Sequence, residues 1–599
     1  MTAINEAHRT LLSQAAEAIP GRVHDAQMMS GHRALGRVVR DAVALLMTVD
    51  RLGADDPDGP ASSAFKTWLP TATFSSIDAA STVRAIRHAL DALHERQRPS
   101  GTFQGGDNLD SPPDSAFTIN DLAWARRASS LAGASQVHLL DAVGAPLDRL
   151  LEAAAPALIN GGVHTPNHRW EISSALAQLW EIHGDPATRE RAEQWLSEGI
   201  DLQPDGLFSE RSPNYAARVS VPSLLTLGRI LDRPDLIAGA DVGVRRQADL
   251  TGPDGFIETL ASRRQDQFAA FPGGPLFPLF RAHSARTGDP ITARASMRTA
   301  WHASADDLLT MLVLGIDDPA TLGPPAAPAD PATPTAPELV ELQNSGLVSV
   351  DHGESSAVLF GGTDTSELAR IASGSSSQPT FARFRGTRIG VRDLRLSRNF
   401  FSMGPFRPDP PKRATDASSD LTRMQFTLHE RVQAEYYHPL DPGDRHEDGA
   451  YSLGFNGRFV SPMDFERRRT DVIALDTRAA VVLEPGSFDV SFSFDGPEHA
   501  VCLLLALHGG EFQGTRLDER GRNLLIGGPR LAECSYAGQG ERLVISVSGS
   551  LGGHGFYDPG EAYTFLGATD EPAGDVLLIP ASSAQTLRLQ LRLSSEPAP

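Results

Sequence analysis

Apolar residues in the first half of the chain recur every three or four positions. Ile172, Leu176, Leu179 and Ile182 form one such run, and Leu224, Leu227 and Leu231, then Leu308 and Leu312, repeat the spacing. That period puts the side chains on one face of a helix. Between the helical runs a turn recurs, in which a glycine is followed within two residues by an apolar or aromatic side chain. It is seen at Gly101-Thr102-Phe103, Gly161-Gly162-Val163, Asp205-Gly206-Leu207-Phe208 and Asp254-Gly255-Phe256. A period of roughly fifty residues predicts stacked helical hairpins, and it suits an open solenoid and a closed toroid equally. Two of the turns are followed by a carboxylate, Glu210 and Glu258.

Beyond residue 315 the pattern changes. Residues 323–337 are rich in Pro and Ala and read as a semi-rigid linker. After them come short alternating or β-branched runs at 348–360, 387–396, 479–483, 488–494, 501–507, 543–547 and 587–593, punctuated by Gly, Asp, Asn and Pro. Helices followed by strands predict segregated α and β domains rather than βαβ units. The expected division is a helical domain at 1–322, the linker at 323–337, and an antiparallel β-sandwich region at 338–599, built as one sandwich or two.

Composition narrows the function classes. A chain of 599 residues is too long for one core. Its net charge of −21 argues against non-specific nucleic-acid binding. No run of eighteen apolar residues predicts a membrane span. Residues 1–20 lack the basic start and apolar core of a secretory signal, so a cytoplasmic setting is expected. Cys502 and Cys534 both fall in strand-like sequence and read as buried thiols. No motif implies a metal or other cofactor, although a structural divalent metal remains compatible with the sequence. The oligomeric state is left open, a homodimer included. The basic residues are almost all arginine, the side chain that grips carboxylates in a fork.

Two loops concentrate the candidate chemistry: Thr165-Pro166-Asn167-His168-Arg169-Trp170 and Asp205 to Tyr215. Asn167 and His168 open a helix, where Asn167 could equally serve as an N-cap. Arg169 and Trp170 suggest a sugar subsite, the ring stacking and the guanidinium meeting a carboxylate. Tyr215 follows Glu210 and Arg211, and a nearby arginine favours a phenolate. Arg263 and Arg264 could clamp a uronate carboxylate or bridge neighbouring helices. Arg383 and Arg385 alternate on one strand face, by default a solvated one. Tyr437 and His438 form an aromatic-histidine cluster beside a loop rich in Asp, Gly and Pro.

Helical hairpins followed by a β-sandwich region, with Asn167-His168 and then Tyr215, resemble the heparinase II/III-like and oligoalginate-type polysaccharide lyases. That resemblance implies an incomplete (α/α) toroid followed by antiparallel β-sandwich domains. It implies β-elimination on a uronic-acid-containing polysaccharide or oligosaccharide: Asn167 neutralises the carboxylate, and His168 and Tyr215 move protons at C5 and the 4-oxygen. Members carry a histidine early in the β region, but residues 377–384 here contain none. His438, Tyr437, Gln378 and Arg383 are the candidates to replace it. Two other readings compete. One is a glycoside hydrolase using paired carboxylates such as Glu210 and Glu258; the other is a non-catalytic carbohydrate-binding protein.

Overall fold

The computed structural model describes residues 6–595, apart from 30, 54–59, 70–73, 75–76, 133–136, 324–337, 415–420, 553–554, 561–563 and 566–567. The expected linker at 323–337 thus lies, except for Gly323, outside the described residues. The chain forms two compact units. The first comprises residues 1–251 and 272–331, the second residues 252–271 and 332–599.

The first unit is helical. Its helices are α1 (Glu6–Met29), α2 (Gly31–Gly53), α3 (Pro60–Trp68), α4 (Ala79–Arg96), α5 (Pro112–Ser129), α6 (Val137–Asn160) and α7 (Pro166–His183). They continue with α8 (Pro186–Leu196), α9 (Pro213–Tyr215), α10 (Val221–Ile230), α11 (Pro234–Asp249), α12 (Phe277–Thr287), α13 (Pro290–Thr299) and α14 (Ala305–Asp317). A short rule starts many of them. Ser111, Asp185, Ser212 and Asp289 each cap a helix with a side-chain oxygen, and a proline follows at the first turn. The cap satisfies an orphan N–H, and proline sits where no N–H is required. Thr165-Pro166 has the same form, but the Thr165 hydroxyl accepts from the Asn167 amide instead of capping. Asn167 is therefore inside α7 and is not its N-cap.

The helices pack as two layers. α2 packs on α5, α5 on α7 and α7 on α10, while α4, α6 and α8 pack along the outside. α11 touches both α10 and α12, α12 touches α14, and α14 returns to α1 and α2. The hairpin repeat therefore curves back on itself as a toroid, not an open solenoid. The repeated turns share one geometry. In three of them the glycine has positive φ, at Gly101, Gly206 and Gly255. In each it donates its N–H to the carbonyl three residues back: Arg98, Gln203 and Gly252. Gly161-Gly162 does not take this form. Among the described residues no helix is long and apolar enough to cross a membrane.

The second unit is one β-sandwich, not two. A nine-stranded sheet runs, neighbour to neighbour, through Thr515–Leu517, Asn523–Leu525, Asp575–Ser582, Ala500–His508, Gly390–Arg398, Ala382–Arg385, Ser356–Phe360, Leu347–Asp351 and Glu338–Leu342. An eight-stranded sheet runs through Glu511–Gln513, Ala532–Gly538, Glu541–Ser548, Leu587–Ser595, Ser487–Asp495, Thr470–Glu484, Met424–Tyr437 and Lys412–Arg413. All described pairings within these two sheets are antiparallel, except Asn523–Leu525 beside Asp575–Ser582. Alternate residues of both sheets, such as Phe384, Leu394 and Leu503 on one and Phe426, Val481 and Leu589 on the other, fill a single core. Cys502 and Cys534 are buried free thiols.

Residues 252–271 depart from the expected boundary at 322, because this stretch of the helical half belongs to the sandwich unit. Amide hydrogen bonds of Gln267 and a set of ion pairs tie it there. Arg383, Arg385, Arg392 and Arg395 come from two adjacent strands whose alternate residues, Phe384, Val391 and Leu394, face the core. Glu258 meets two of these arginines. Its Oε1 accepts from Arg383 Nη1 and its Oε2 from Arg385 Nη2, each at 2.6 Å. The backbone N–H groups of Thr259 and Leu260 add 2.7 and 2.8 Å bonds to the same carboxylate. The Glu258 side chain is 1% exposed and that of Arg383 8%. The arginine row is thus a covered face, not the solvated one expected.

Candidate active site

In the first unit, α2, α5, α7 and α9 gather their opening turns. Gly31 begins α2 at φ +67°, and a Cβ there would lie 2.0 Å from Gly105 O, so only glycine admits the loop that follows α4. Arg33, two residues on, ion-pairs with Asp107 at 3.0 Å and with Asp114 of α5. Its guanidinium also lies 4.2 Å from the centre of the Phe117 ring. Phe117 meets His168 edge-on at 6.3 Å, and His164 meets His168 edge-on at 4.5 Å. Asn167 Nδ2 donates to Glu210 Oε1 at 2.9 Å and to Thr165 Oγ1 at 3.1 Å, while its Oδ1 is buried without a hydrogen-bond partner. Tyr215 ends α9, its N–H bonded to Ser212 Oγ at 3.2 Å, and lies within electrostatic range of Arg33. The structure therefore brings Asn167, His168, Glu210 and Tyr215 into one neighbourhood.

Directly after Tyr215 the helix loosens into a π turn, Ala216–Ser220, before α10. Val221 N–H bonds Ala216 O, a wider ring than an α-helix closes, and Pro222, which has no N–H to give, follows at once. Deeper in the same unit lies Glu171. Burial pushes its carboxyl up to about 8, while Asn120, bonded to it at 2.7 Å, opposes that rise.

Other expected site residues have different work. Trp170 is 0% exposed and donates its indole N–H to Asp201 Oδ1 at 2.8 Å, so no sugar can stack on it. Arg169 lies against the Trp170 ring at 4.5 Å and pairs with Glu198 at 3.1 Å. The expected Arg169-Trp170 subsite is instead packing: α7 is buried continuously from Asn167 to Leu179, so its indole meets protein. Arg211 takes φ +54° and donates to Gln203 Oε1 at 3.1 Å.

In the second unit Arg263 grips Asp364 with two bonds, at 2.9 and 2.8 Å. The Arg264 N–H donates to Ser262 Oγ at 3.1 Å. Arg383 and Glu258, expected respectively in substrate binding and as a hydrolytic carboxylate, are instead buried and bonded to each other. Asp254 Oδ1 accepts the Phe256 N–H at 3.2 Å, a local turn role. Gln378 is buried and donates to Gln267 O at 2.6 Å. His438 bonds Asp471 at 2.7 Å through Nε2 and Arg469 at 3.1 Å through Nδ1. The Tyr437 hydroxyl donates to Glu435 and accepts from Asn456 at 3.0 Å. Burial, then the Glu435 bond, pushes the Tyr437 phenol up, away from use as a base.

Sequence reading missed Arg33, Phe117, His164 and Glu171. Arg33, Phe117 and His164 lie at or near the starts of α2, α5 and α7. The repeat itself was the usable signal, since residues that open successive inner helices share one end of the ring. Among the described residues no group of three or more His, Cys, Asp or Glu side chains is placed to hold a metal.

The fold is a helical toroid followed by a β-sandwich. No protein-family model matches the chain, and no curated protein matches its sequence. Among solved structures it is similar to a Paenibacillus xanthan lyase, with a TM-score of 0.47 and 8% identity, over 100% of this chain and 58% of that one. It is also similar to the Streptomyces coelicolor A3 chondroitin AC lyase in complex with chondroitin sulphate, with a TM-score of 0.34 and 11% identity, over 97% of this chain and 100% of that one. The chain thus spans less than two thirds of the xanthan lyase chain.

Proposed function

We propose that the protein is a polysaccharide lyase that cleaves a uronic-acid-containing polysaccharide or oligosaccharide by β-elimination. The supporting observation is the gathering of Asn167, His168 and Tyr215, from the openings of α7 and α9, beside Arg33. In this reading the substrate carboxylate takes the Asn167 N–H that Glu210 holds, with Arg33 as the nearby cation. Fixed donors of this kind stabilise the charge that builds on the carboxylate as the C5–H bond breaks. His168 or Tyr215 removes the C5 proton, the C4–O bond breaks, and Tyr215 protonates the departing oxygen. The new C4–C5 double bond is conjugated with the carboxylate. General acid and base catalysis would each contribute on the order of 10² to 10⁴ in rate.

The test is incubation with a panel of acidic glycans while following the ultraviolet absorbance of the conjugated product. Wild type should produce it and Tyr215→Phe should not. Saturated reducing ends without absorbance would move the assignment to hydrolysis. Saturable binding with no product would move it to a carbohydrate-binding protein.

A further inference from the structure

The sandwich unit holds a small recess beneath residues 252–271, lined by Arg383, Arg385, Arg392, Asp254, Phe256 and His508 among others. Arg383 and Arg385 share Glu258, and Arg395 pairs with Asp393 at 3.1 Å. Among the described residues Arg392 has no ion-pair partner; its guanidinium lies 5.3 Å from the Phe256 ring centre. A cation held beside other cations with no carboxylate in ion-pair reach is costly; Asp254 and Asp393 offset that cost only from further away. Burial, then Arg383 and Arg385, push the Arg392 guanidinium below its ordinary value.

The backbone aims Arg392 there. Along its strand, Leu507 pairs with Val391 and Ala506 with Asp393, so a bulge leaves Arg392 opposite no residue. The pairing with the strand on the other side shifts register here too. A bulge of this kind re-aims a side chain and recurs next to functional sites. It puts Arg392 and Asp393 between the core-facing Val391 and Leu394. His508 Nδ1 is buried without a hydrogen-bond partner. Burial, then Arg392, pushes that imidazole down to about 3, so it is neutral at ordinary pH and adds no charge to the recess.

From this geometry we infer that the Arg392 recess is a binding site for an oxyanion group, the carboxylate or sulfate of an acidic sugar. Size supports a group rather than a whole ring. The cavity volume is about 30 Å³, against roughly 10–15 Å³ for one water. A planar fork at Arg392 favours a group with two oxygens in reach. The inference does not rest on the proposed lyase reaction.

Equilibrium binding of D-glucuronate, D-glucose 6-sulfate and D-glucose, at fixed ionic strength, tests it on the full chain. Wild type, Arg392→Gln and Asn167→Ala are compared, with thermal melting as the fold check. The charged sugars should bind and glucose should not. Arg392→Gln should lose one class of site by tenfold or more, and Asn167→Ala should keep that class. The stronger of the two charged sugars identifies the group. If Arg392→Gln does not fold, Arg392→Lys keeps the charge without the fork and should weaken the same site at least threefold. Unchanged binding in the Arg392 variants, equal competition by glucose, or no binding to wild type overturns the inference. Loss confined to Asn167→Ala overturns it while leaving the lyase reading intact.

Discussion

Asn167 gives an amide N–H to Glu210, Nδ2 to Oε1 at 2.9 Å, across the two loops that open α7 and α9. The bond fixes the amide but also engages a donor that a substrate carboxylate would need. Asn167→Ala should lower kcat about 10²- to 10³-fold, the usual loss when one donor to developing charge is removed. Glu210→Gln should retain turnover and lower KM, because a neutral side chain competes less for the amide. Rates of absorbance increase check both, and abolished turnover in Glu210→Gln would instead favour a carboxylate mechanism.

Glu258 should be a stability residue. Removing one partner of a buried ion pair leaves an uncompensated charge and costs about 3–5 kcal/mol. Glu258→Ala should therefore lower the denaturant midpoint strongly. Burial alone would raise this carboxyl, but Arg383 and Arg385 outweigh it and hold it below its ordinary 4.5. A depressed folded value means the contribution is complete above pH 4.5 and is lost as pH falls through the folded value. Melting curves below pH 4.5 should show wild type moving toward Glu258→Ala.

Glu171 has the opposite sign. Burial raises it from 4.5 to about 8. The folded state then holds a proton that the unfolded chain gives up. Its stabilisation is complete below pH 4.5, falls between 4.5 and 8, and is gone above 8. Glu171→Gln keeps an acceptor for Asn120 and abolishes the titration. The variant should melt at the same temperature as wild type near pH 4.5 and higher at pH 8, by an amount equivalent to at most about 4 kcal/mol. A constant difference across that range would contradict the assignment.

Trp170 should behave as a core residue. Trp170→Phe leaves Asp201 without its indole donor and should cost about 1–3 kcal/mol. Thermal unfolding should register the loss, while KM for any acidic glycan should stay within about twofold of wild type.

The helical half was legible because runs such as Leu224, Leu227 and Leu231 keep the helix period whatever surrounds them. The strands around Val481, Phe492 and Leu503 were legible from their enrichment in β-branched and apolar residues. Trp170 was not: α7 is buried all round, so a polar-looking Arg-Trp pair carries no mark of which way it faces. Residues 252–271 were not, because their partners, Asp364, Gln378, Arg383 and Arg385, lie far along the chain. Asn167-His168 and Tyr215 were found as separate signals, and it is the packing of α7 against the π turn and α10 that brings their loops together. Arg33 escaped notice because it precedes the first recognised turn.

The Glu258 ion pair also sets an order in time. Glu258 leaves the ribosome 125 residues before Arg383. At about 5–20 residues per second, that delay is roughly 6–25 s. Through that interval the nascent chain carries a carboxylate without its arginine partners, and residues 252–271 cannot complete their native contacts. The helical unit is therefore made around a stretch whose final partners do not yet exist, which makes residues 252–271 a point where a nascent-chain protease should cut first.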